Sequence, residues 1–364
     1  MNRDNLYFKF GQLLGEGNFG KVYLGTKINS NKILAIKQLD RQKIDYSIHF
    51  EYMINEINIL SSLNHPNILK FDSWAISKNH YYIATEYLNG GDLSDCLEKY
   101  IEKYNTPFNE EITQHIMKQI LEAIKYLHSK KIAHRDLKLA NIMVNFDTLE
   151  DKAELNMLKS KVKIIDFGLS KHLDKNNLLD SLLGTMINAD PIIVKGFQKK
   201  MLNEQNEEPH EYNEKCDIWS IGTICYEMMV GKPLFDVDDL DELVEKINEE
   251  KIEIPPSFSN EIISFLNSML KIDNKLRSSA QKLLYHDFIK KDFSNNKREL
   301  ERKEVEKEIQ HNHKIISNLN NNNNNNNNNV INNNKSEDIF WKKLEEFKKI
   351  YSPSKISYYK QSMS

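Results

Sequence analysis

Three cysteines in 364 residues leave no material for a disulfide framework. Cys96, Cys216 and Cys225 are scattered, without the close spacing of a metal site. So odd and sparse a set fits a reducing compartment, and a cytoplasmic location is expected, with the nucleus left open. Charge of one sign is also missing: 50 Lys and Arg stand against 53 Asp and Glu, a net charge of -3. That balance offers no global basic field to nucleic acid or to a membrane surface. No run approaches the roughly 18 apolar residues of a membrane span. Residues 1–10 carry charges where a signal peptide would have an apolar centre, and no repeat of roughly 20–50 residues is visible. The expectation is a soluble intracellular protein. Its hydrophobic content of 40% is enough for a core over most of the chain, in one large or two ordinary domains.

Residues 6–39 read as strands around the glycine segment 15–20, and Ile33 to Leu39 forms an apolar strand carrying Lys37. From about 49 to 63 the apolar spacing turns helical through Ile54, Ile57, Leu60 and Leu63, ending at Asn64-His65-Pro66. Two strands follow near 68–76 and 80–86. Helices are then expected at 93–104, 109–129, 217–230, 239–249 and 259–270. A small β-rich segment thus precedes a larger helical one, and their junction near Tyr87 to Gly91 would make a cleft, a usual place for a ligand.

The densest chemistry lies in His134-Arg135-Asp136-Leu137-Lys138-Leu139-Ala140-Asn141, followed by Asp166-Phe167-Gly168. One carboxylate can accept a proton from a hydroxyl. A carboxamide and a second carboxylate suit magnesium, which prefers oxygen ligands. Phosphoryl transfer needs mostly positioning and charge neutralisation, and these residue types provide both. Gly15-Glu16-Gly17-Asn18-Phe19-Gly20 is weak evidence alone, since such a run also marks dinucleotide sites and plain hairpins. A dinucleotide site would place a helix next, whereas Lys21 to Gly25 continues as a strand, as a flap over phosphates would. Lys37 in its apolar strand needs a partner. Glu56 on the next helix can reach it, although alone it would pass for a solvated acid.

With these motifs in this order, the chain resembles the eukaryotic protein kinase family, serine/threonine type, over about residues 8–290. Val22, the hinge Glu86-Tyr87-Leu88, Asp217-Ile218-Trp219-Ser220-Ile221-Gly222 and Arg277 complete the match. The look of the catalytic loop is similar to calmodulin-dependent, NIMA-related and autophagy-initiating kinases. The resemblance implies an α+β bilobal fold, with a small lobe at about 8–86, a large lobe at about 92–290, and ATP and Mg²⁺ between them. It implies that Leu14, Val22, Ala35 and Met143 sandwich the adenine, that backbone groups of Glu86 and Leu88 bond to it, and that Asp92 meets the ribose. The flap Gly15, Glu16, Gly17, Asn18, Phe19 and Gly20 would cover the phosphates, and Lys37, held by Glu56, would bind them. Asp136 would take the proton of the substrate hydroxyl, Lys138 would steady the γ-phosphate, and Asn141 and Asp166 would hold Mg²⁺. Asp217 would brace the catalytic loop, a role compatible with its also capping a helix before Ile218. His134 would stack near Phe167 with Leu60 and Phe71, and Thr85 would stand at the back of the adenine site. His65 reads as a turn former and His128 as packing at a helix end.

The match departs from the family after Gly184-Thr185. Asn188-Ala189-Asp190-Pro191-Ile192 stands where an aromatic and then Ala-Pro-Glu are usual, so Ile192 replaces the glutamate that would pair with Arg277. Either Arg277 has another acceptor, Asp190 or an acid between Glu204 and Glu211, or that region is looser. Polar insertions at about 146–160 and 195–211 read as surface loops. Ser181 is the expected activating phosphosite, with Arg135 as the cation for it. Past 292 the chain is charged and then asparagine-rich to about 335, a composition that does not support a core. Residues 336–364 regain an amphipathic pattern through Phe340, Leu344, Phe347 and Tyr351, which suggests docking within the chain or onto a partner. Protein substrates are the expected partners. The reading of function is an ATP-dependent serine/threonine protein kinase. The altered Ala-Pro-Glu segment leaves open a pseudokinase or nucleotide-binding scaffold.

Overall fold

The computed structural model describes residues 7–17, 20–44, 48–167, 171–172, 186–201, 213–237, 239–249 and 252–294. Asn18, Phe19, Gly168, Ser181, the asparagine tract and the amphipathic segment 336–364 lie outside these residues. The chain divides into two units, Met1–Lys291 and Asp292–Ser364, and the first carries the fold.

That unit opens with a five-stranded antiparallel sheet of β1 (Phe8–Gly17), β2 (Gly20–Lys27), β3 (Ile33–Asp40), β4 (Phe71–Ile76) and β5 (His80–Glu86), in the order β1-β2-β3-β5-β4. The pairing of β1 with β2 runs up to Gly17 opposite Gly20, so the glycine segment lies where two paired strands meet and no helix follows it. Gly20 is required there by the sheet itself, since an added Cβ would come within 1.9 Å of the Gln38 carbonyl oxygen. Alternation along β3 sorts the two faces. Leu34 and Ile36 are buried with Phe8, Tyr82 and Ala84. Leu39 is buried on the other side with Ile83, Met53 and Ile57, under α2 (Ile48–Ser62), which follows the short α1 (Arg41–Ile44).

The helical part comprises α3 (Leu93–Tyr104), α4 (Glu110–Ser129), α5 (Leu149–Ala153), α6 (Pro191–Met201), α7 (Lys215–Val230), α8 (Leu240–Asn248), α9 (Asn260–Met269), α10 (Ala280–Leu283) and α11 (Asp287–Lys290). Side-chain caps start several of these, with Asp92, Asn109, Asp239 and Ser259 each accepting from an amide three residues on. Helix α7 is apolar almost all round, and Ile218, Trp219, Ile221, Ile224 and Cys225 are inaccessible to solvent, so it forms the centre of the core. Two small ribbons lie beside α4: β6 (Ile132–Ala133) with β9 (Lys171–His172), and β7 (Ile142–Asn145) with β8 (Lys161–Ile164). The sheet and the helical part are stitched behind the junction. The Ile164 amide donates to Asn67 O at 2.9 Å, the Leu69 amide to Ile164 O at 3.0 Å, and Asn67 Nδ2 to Val162 O at 2.9 Å. Beside the hinge, Gly90 lies so near Val144 that a Cβ would come within 2.6 Å of its carbonyl oxygen, and the Gly90 amide bonds to that oxygen.

Three expectations need correcting. Residues 146–160 are not a plain surface loop. Thr148 caps α5, Phe146 and Met157 are buried, and Asp151 accepts from Thr148, Asn156 and Lys159. Glu154 then ties the piece to α3 through Lys103 at 2.7 Å and its carbonyl to the Tyr104 hydroxyl at 2.7 Å. Residues 195–201 are the second half of α6, not the start of a loop. Asp217 does not cap α7, which begins earlier at Lys215 and leaves Asp217 in its first turn. His65 does form a turn, accepting from the Asn67 amide at 3.1 Å.

Candidate active site

The strand register assembles the upper half of the site. Gly15 pairs with Val22, Val22 with Lys37, Leu24 with Ala35, and Ala35 with Thr85. Ala35 and Lys37 share one face of β3, and Leu14 is exposed at 41% on β1, two strands away. Met143 comes from the other half. It sits on β7, opposite Lys163, and bridges to Asp92. Asp92 spends one carboxylate oxygen on capping α3, accepting from the Asp95 amide at 3.0 Å. Glu86 closes β5. Its carboxylate accepts from the Lys70 amide at 2.7 Å and pairs with Lys163 at 2.8 Å, joining the hinge to β8, a contact the motif reading did not contain. Among the described residues, the amide and carbonyl of buried Leu88 have no partner, which fits a site that bonds a flat heterocycle by its edge.

Lys37 Nζ lies 3.0 and 3.3 Å from the Glu56 carboxylate oxygens. Burial alone would lower the Lys37 pKa, but the Glu56 and Asp166 carboxylates outweigh it and hold the ammonium above its ordinary value. Lys37 is thus a cation facing acids from both halves of the site. Its side chain remains 38% exposed, against 10% for Glu56.

The loop after β6 is held from below. Asp217 accepts the backbone amides of His134 at 3.0 Å and Arg135 at 2.9 Å, and meets His128 Nε2 at 2.8 Å. Burial pushes the Asp217 pKa up, yet His128, His134 and the Arg135 amide together bring it below the ordinary carboxylate value. His128 is therefore part of the brace and not merely packing. Its spacing from the loop gave no hint, because the contact joins residues on two separate helices. Above the brace, Asn141 Nδ2 donates at 2.8 Å to both Asp136 O and Asp136 Oδ2, and Lys138 Nζ approaches the same Oδ2 at 3.3 Å. Among the described residues Asp136 Oδ1 has no partner. His134 Nε2 bonds to Ile165 O at 2.9 Å, and its ring meets Phe167 edge-on at 5.0 Å, with Leu60 and Phe71 in the same cluster. Arg135 and Asp166 have φ of +74° and +60°. Left-handed backbone costs a non-glycine residue about 1–2 kcal/mol, and both residues stand where the loop must present the site.

Arg277 finds its acceptor in Asp190. The pair is bidentate and wholly buried, with Nη1 on Asp190 Oδ2 and Nη2 on Oδ1 at 3.2 Å. Nε and both terminal nitrogens also bond to the carbonyls of Lys271, Lys215 and Ile272 at 2.7, 3.0 and 3.2 Å. The guanidinium rests over Trp219 at 5.1 Å. Every donor geometry that makes a buried arginine tolerable is therefore used.

Taken together, the site gathers Asp136, Lys138 and Asn141 on the loop after β6 and sets the Asp166 carboxylate to act on Lys37 of β3. Comparison with known proteins agrees. The protein kinase domain family matches residues 8–289. The chain is 31% identical over 284 residues to Aurora kinase A-B of Xenopus laevis, which covers 78% of this chain and 62% of that protein. It is 30% identical to serine/threonine-protein kinase RAD53 of Saccharomyces cerevisiae over 77% of this chain and 32% of that protein, and 30% identical to calcium-dependent protein kinase 4 of Plasmodium falciparum over 79% and 50%. The chain thus spans less than two thirds of the length of the relatives it matches. With the family matched over most of the chain, on a five-stranded sheet followed by a helical part, this protein belongs to the protein kinase family.

Proposed function

We propose that this protein transfers the γ-phosphate of ATP to serine or threonine hydroxyls of protein substrates. The observation that carries the reading is the state of Asp136: one oxygen is fixed by Asn141 and Lys138, and the other has no hydrogen-bond partner among the described residues. A carboxylate oriented in this way can receive a hydroxyl hydrogen bond and take the proton as the oxygen attacks. ATP with Mg²⁺ would bring the electrophilic phosphorus and neutralise charge on the oxygens around it. Asn141 and Asp166 have the oxygen donors to hold the ion, and Lys37, kept protonated by Glu56, binds and orients the phosphates. Lys138 beside Asp136 supports serine/threonine over tyrosine specificity, since tyrosine kinases carry an arginine arrangement in that stretch. The scaffold alternative drew on the missing glutamate at position 192. The Asp190 pairing weakens that ground.

The test is incubation with radiolabelled ATP, Mg²⁺ and generic protein substrates beside an Asp166→Asn control. Label on serine or threonine in the wild type and not in the control is expected. Nucleotide binding without any transfer would instead support the scaffold reading.

A further inference from the structure

The stretch that leaves the hinge lies against the end of β7. The Gly90 amide donates to Val144 O at 2.9 Å, the Val144 amide donates to Gly91 O at 2.8 Å, and Asp92 bridges to Met143. Two asparagines extend this contact by one step. Asn89 Nδ2 donates to Phe146 O at 2.9 Å, and Asn89 Oδ1 accepts the Phe146 amide at 2.9 Å. In return, Asn145 Oδ1 accepts the Asn89 amide at 3.3 Å. Phe146 is where the chain leaves the β7–β8 pairing, whose last pair is Asn145 with Lys161. It is buried, so its amide and carbonyl need partners within the protein, and the Asn89 carboxamide serves both.

Phe146 also opens a piece that is fastened elsewhere. Lys103 Nζ of α3 donates to Ala153 O at 3.2 Å and to the Glu154 carboxylate at 2.7 Å. At the far end, Gln119 Nε2 of α4 donates to Ser160 O at 3.3 Å, and His115 Nε2 meets the same oxygen at 2.8 Å. Residues 146–160 are thus held by α3 and α4 without help from the hinge. They are the fixed side of the contact, and the hinge exit is the side that yields. Gly90 and Gly91 contribute no side chain to hold it, and Gly91 has φ of +82°.

We infer that Asn89 and Asn145 are positioning residues for the nucleotide base: their reciprocal clasp fastens the hinge exit to the end of β7, so that the Leu88 backbone and Met143 keep one separation. This rests on the nucleotide-binding part of the phosphotransfer reading above. Leu88 stands one residue before Asn89, and its amide and carbonyl have no partner among the described residues. Met143 stands three residues before Phe146, on the strand that the clasp grips. A base bonded along its edge by one and covered on its face by the other is held well only while the two stay in register.

Asn89 must both donate and accept, whereas Asn145 only accepts. Asn89→Ala should raise the Kd for Mg-ADP, read by titration calorimetry, and the KM for ATP by about fivefold to tenfold, with kcat and the KM for a protein substrate within about twofold. Asn89→Asp should lose as much, because a carboxylate cannot donate to Phe146 O. Asn145→Ala should weaken Mg-ADP by about two- to threefold, and Asn145→Asp should match the wild type because the acceptor is kept. The two Asn145 variants read the same contact should Asn89→Ala fail to fold. A side chain that only supported the fold would lower the melting temperature and leave the Kd unmoved. Unchanged Mg-ADP affinity in Asn89→Ala would therefore overturn the inference, as would equal effects of Asn89→Asp and Asn145→Asp. A wild type that binds Mg-ADP but transfers no phosphate would sink the phosphotransfer reading alone, because the affinity series still decides the clasp.

Discussion

The Lys37–Glu56 pair of the small lobe and the Asp217 and Asp190 pairs of the large lobe are built to opposite rules. Lys37 and Glu56 pair across 3.0 Å with more than a third of the lysine side chain still exposed. Asp217 with His128, and Asp190 with Arg277, are sealed from solvent, and their oxygens are nearly all bonded to backbone or to fixed side chains. An open pair gains little because water screens it and two long side chains must be ordered, about 0–1 kcal/mol. A buried pair costs several kcal/mol to desolvate, and losing one partner costs ~3–5 kcal/mol. The lysine end of the open pair therefore stays within reach of a ligand, whereas the buried pairs act as fixed frame. Asp136 stands between the two regimes, nearly buried but with one oxygen lacking a described partner.

The contrast is sharpest where chemistry and frame are separated. Asp136→Ala should lower phosphotransfer by ~10²–10⁴-fold, the usual worth of a positioned general base, while nucleotide affinity stays within a few-fold. Near-normal turnover would mean Asp136 is not the base. Asp217→Asn should act on the frame, lowering stability by ~3–5 kcal/mol in denaturant melts. A loss no larger than that of an exposed charge would erase the distinction between the regimes.

Acid provides a gentler form of the same experiment. The Asp217 pKa is lowered in the folded protein, so its contribution is complete above the ordinary value of 3.8 and drains away as pH falls below it toward the folded pKa. Wild type should therefore lose stability more steeply than Asp217→Asn below about pH 4. Parallel curves would show that the brace does not depend on the anion.

Two smaller effects test the open side. Thr85 is nearly buried and directly opposite Ala35. Thr85→Met should cost inhibitors with bulky aryl groups ~1–3 kcal/mol of affinity by overpacking, and equal inhibition of both forms would remove Thr85 from the adenine site. Lys37→Met should impair transfer yet change stability by less than ~1 kcal/mol. A large drop in melting temperature would show that the Lys37–Glu56 pair belongs to the frame after all.

Much of this arrangement was legible without coordinates, and the reasons are local. The spacing of Ile54, Ile57 and Leu60 predicts α2 because a helix repeats every 3.6 residues. The apolar run Ile33 to Leu39 predicts β3, and the two-residue period of a strand puts Ala35 and Lys37 on one face. Signals for the missed pieces were present but unused. Thr148-Leu149-Glu150-Asp151 is a capping pattern ahead of α5, and Asp190-Pro191 before an apolar run is a helix start. Polar composition at 146–160 hid two buried residues, Phe146 and Met157.

By itself the sequence determined the order of the elements, the flap, the lysine strand and the identity of the groups around Asp136. Each of these depends on residues within a turn or a strand of one another. Only the tertiary structure decided which acid meets Arg277, that His128 joins the Asp217 brace, and that Lys163 ties the hinge through Glu86. Those contacts join residues 87, 89 and 77 positions apart. A buried charge takes whichever partner the packing brings within reach, and that reach is a property of the folded core, not of the spacing along the chain.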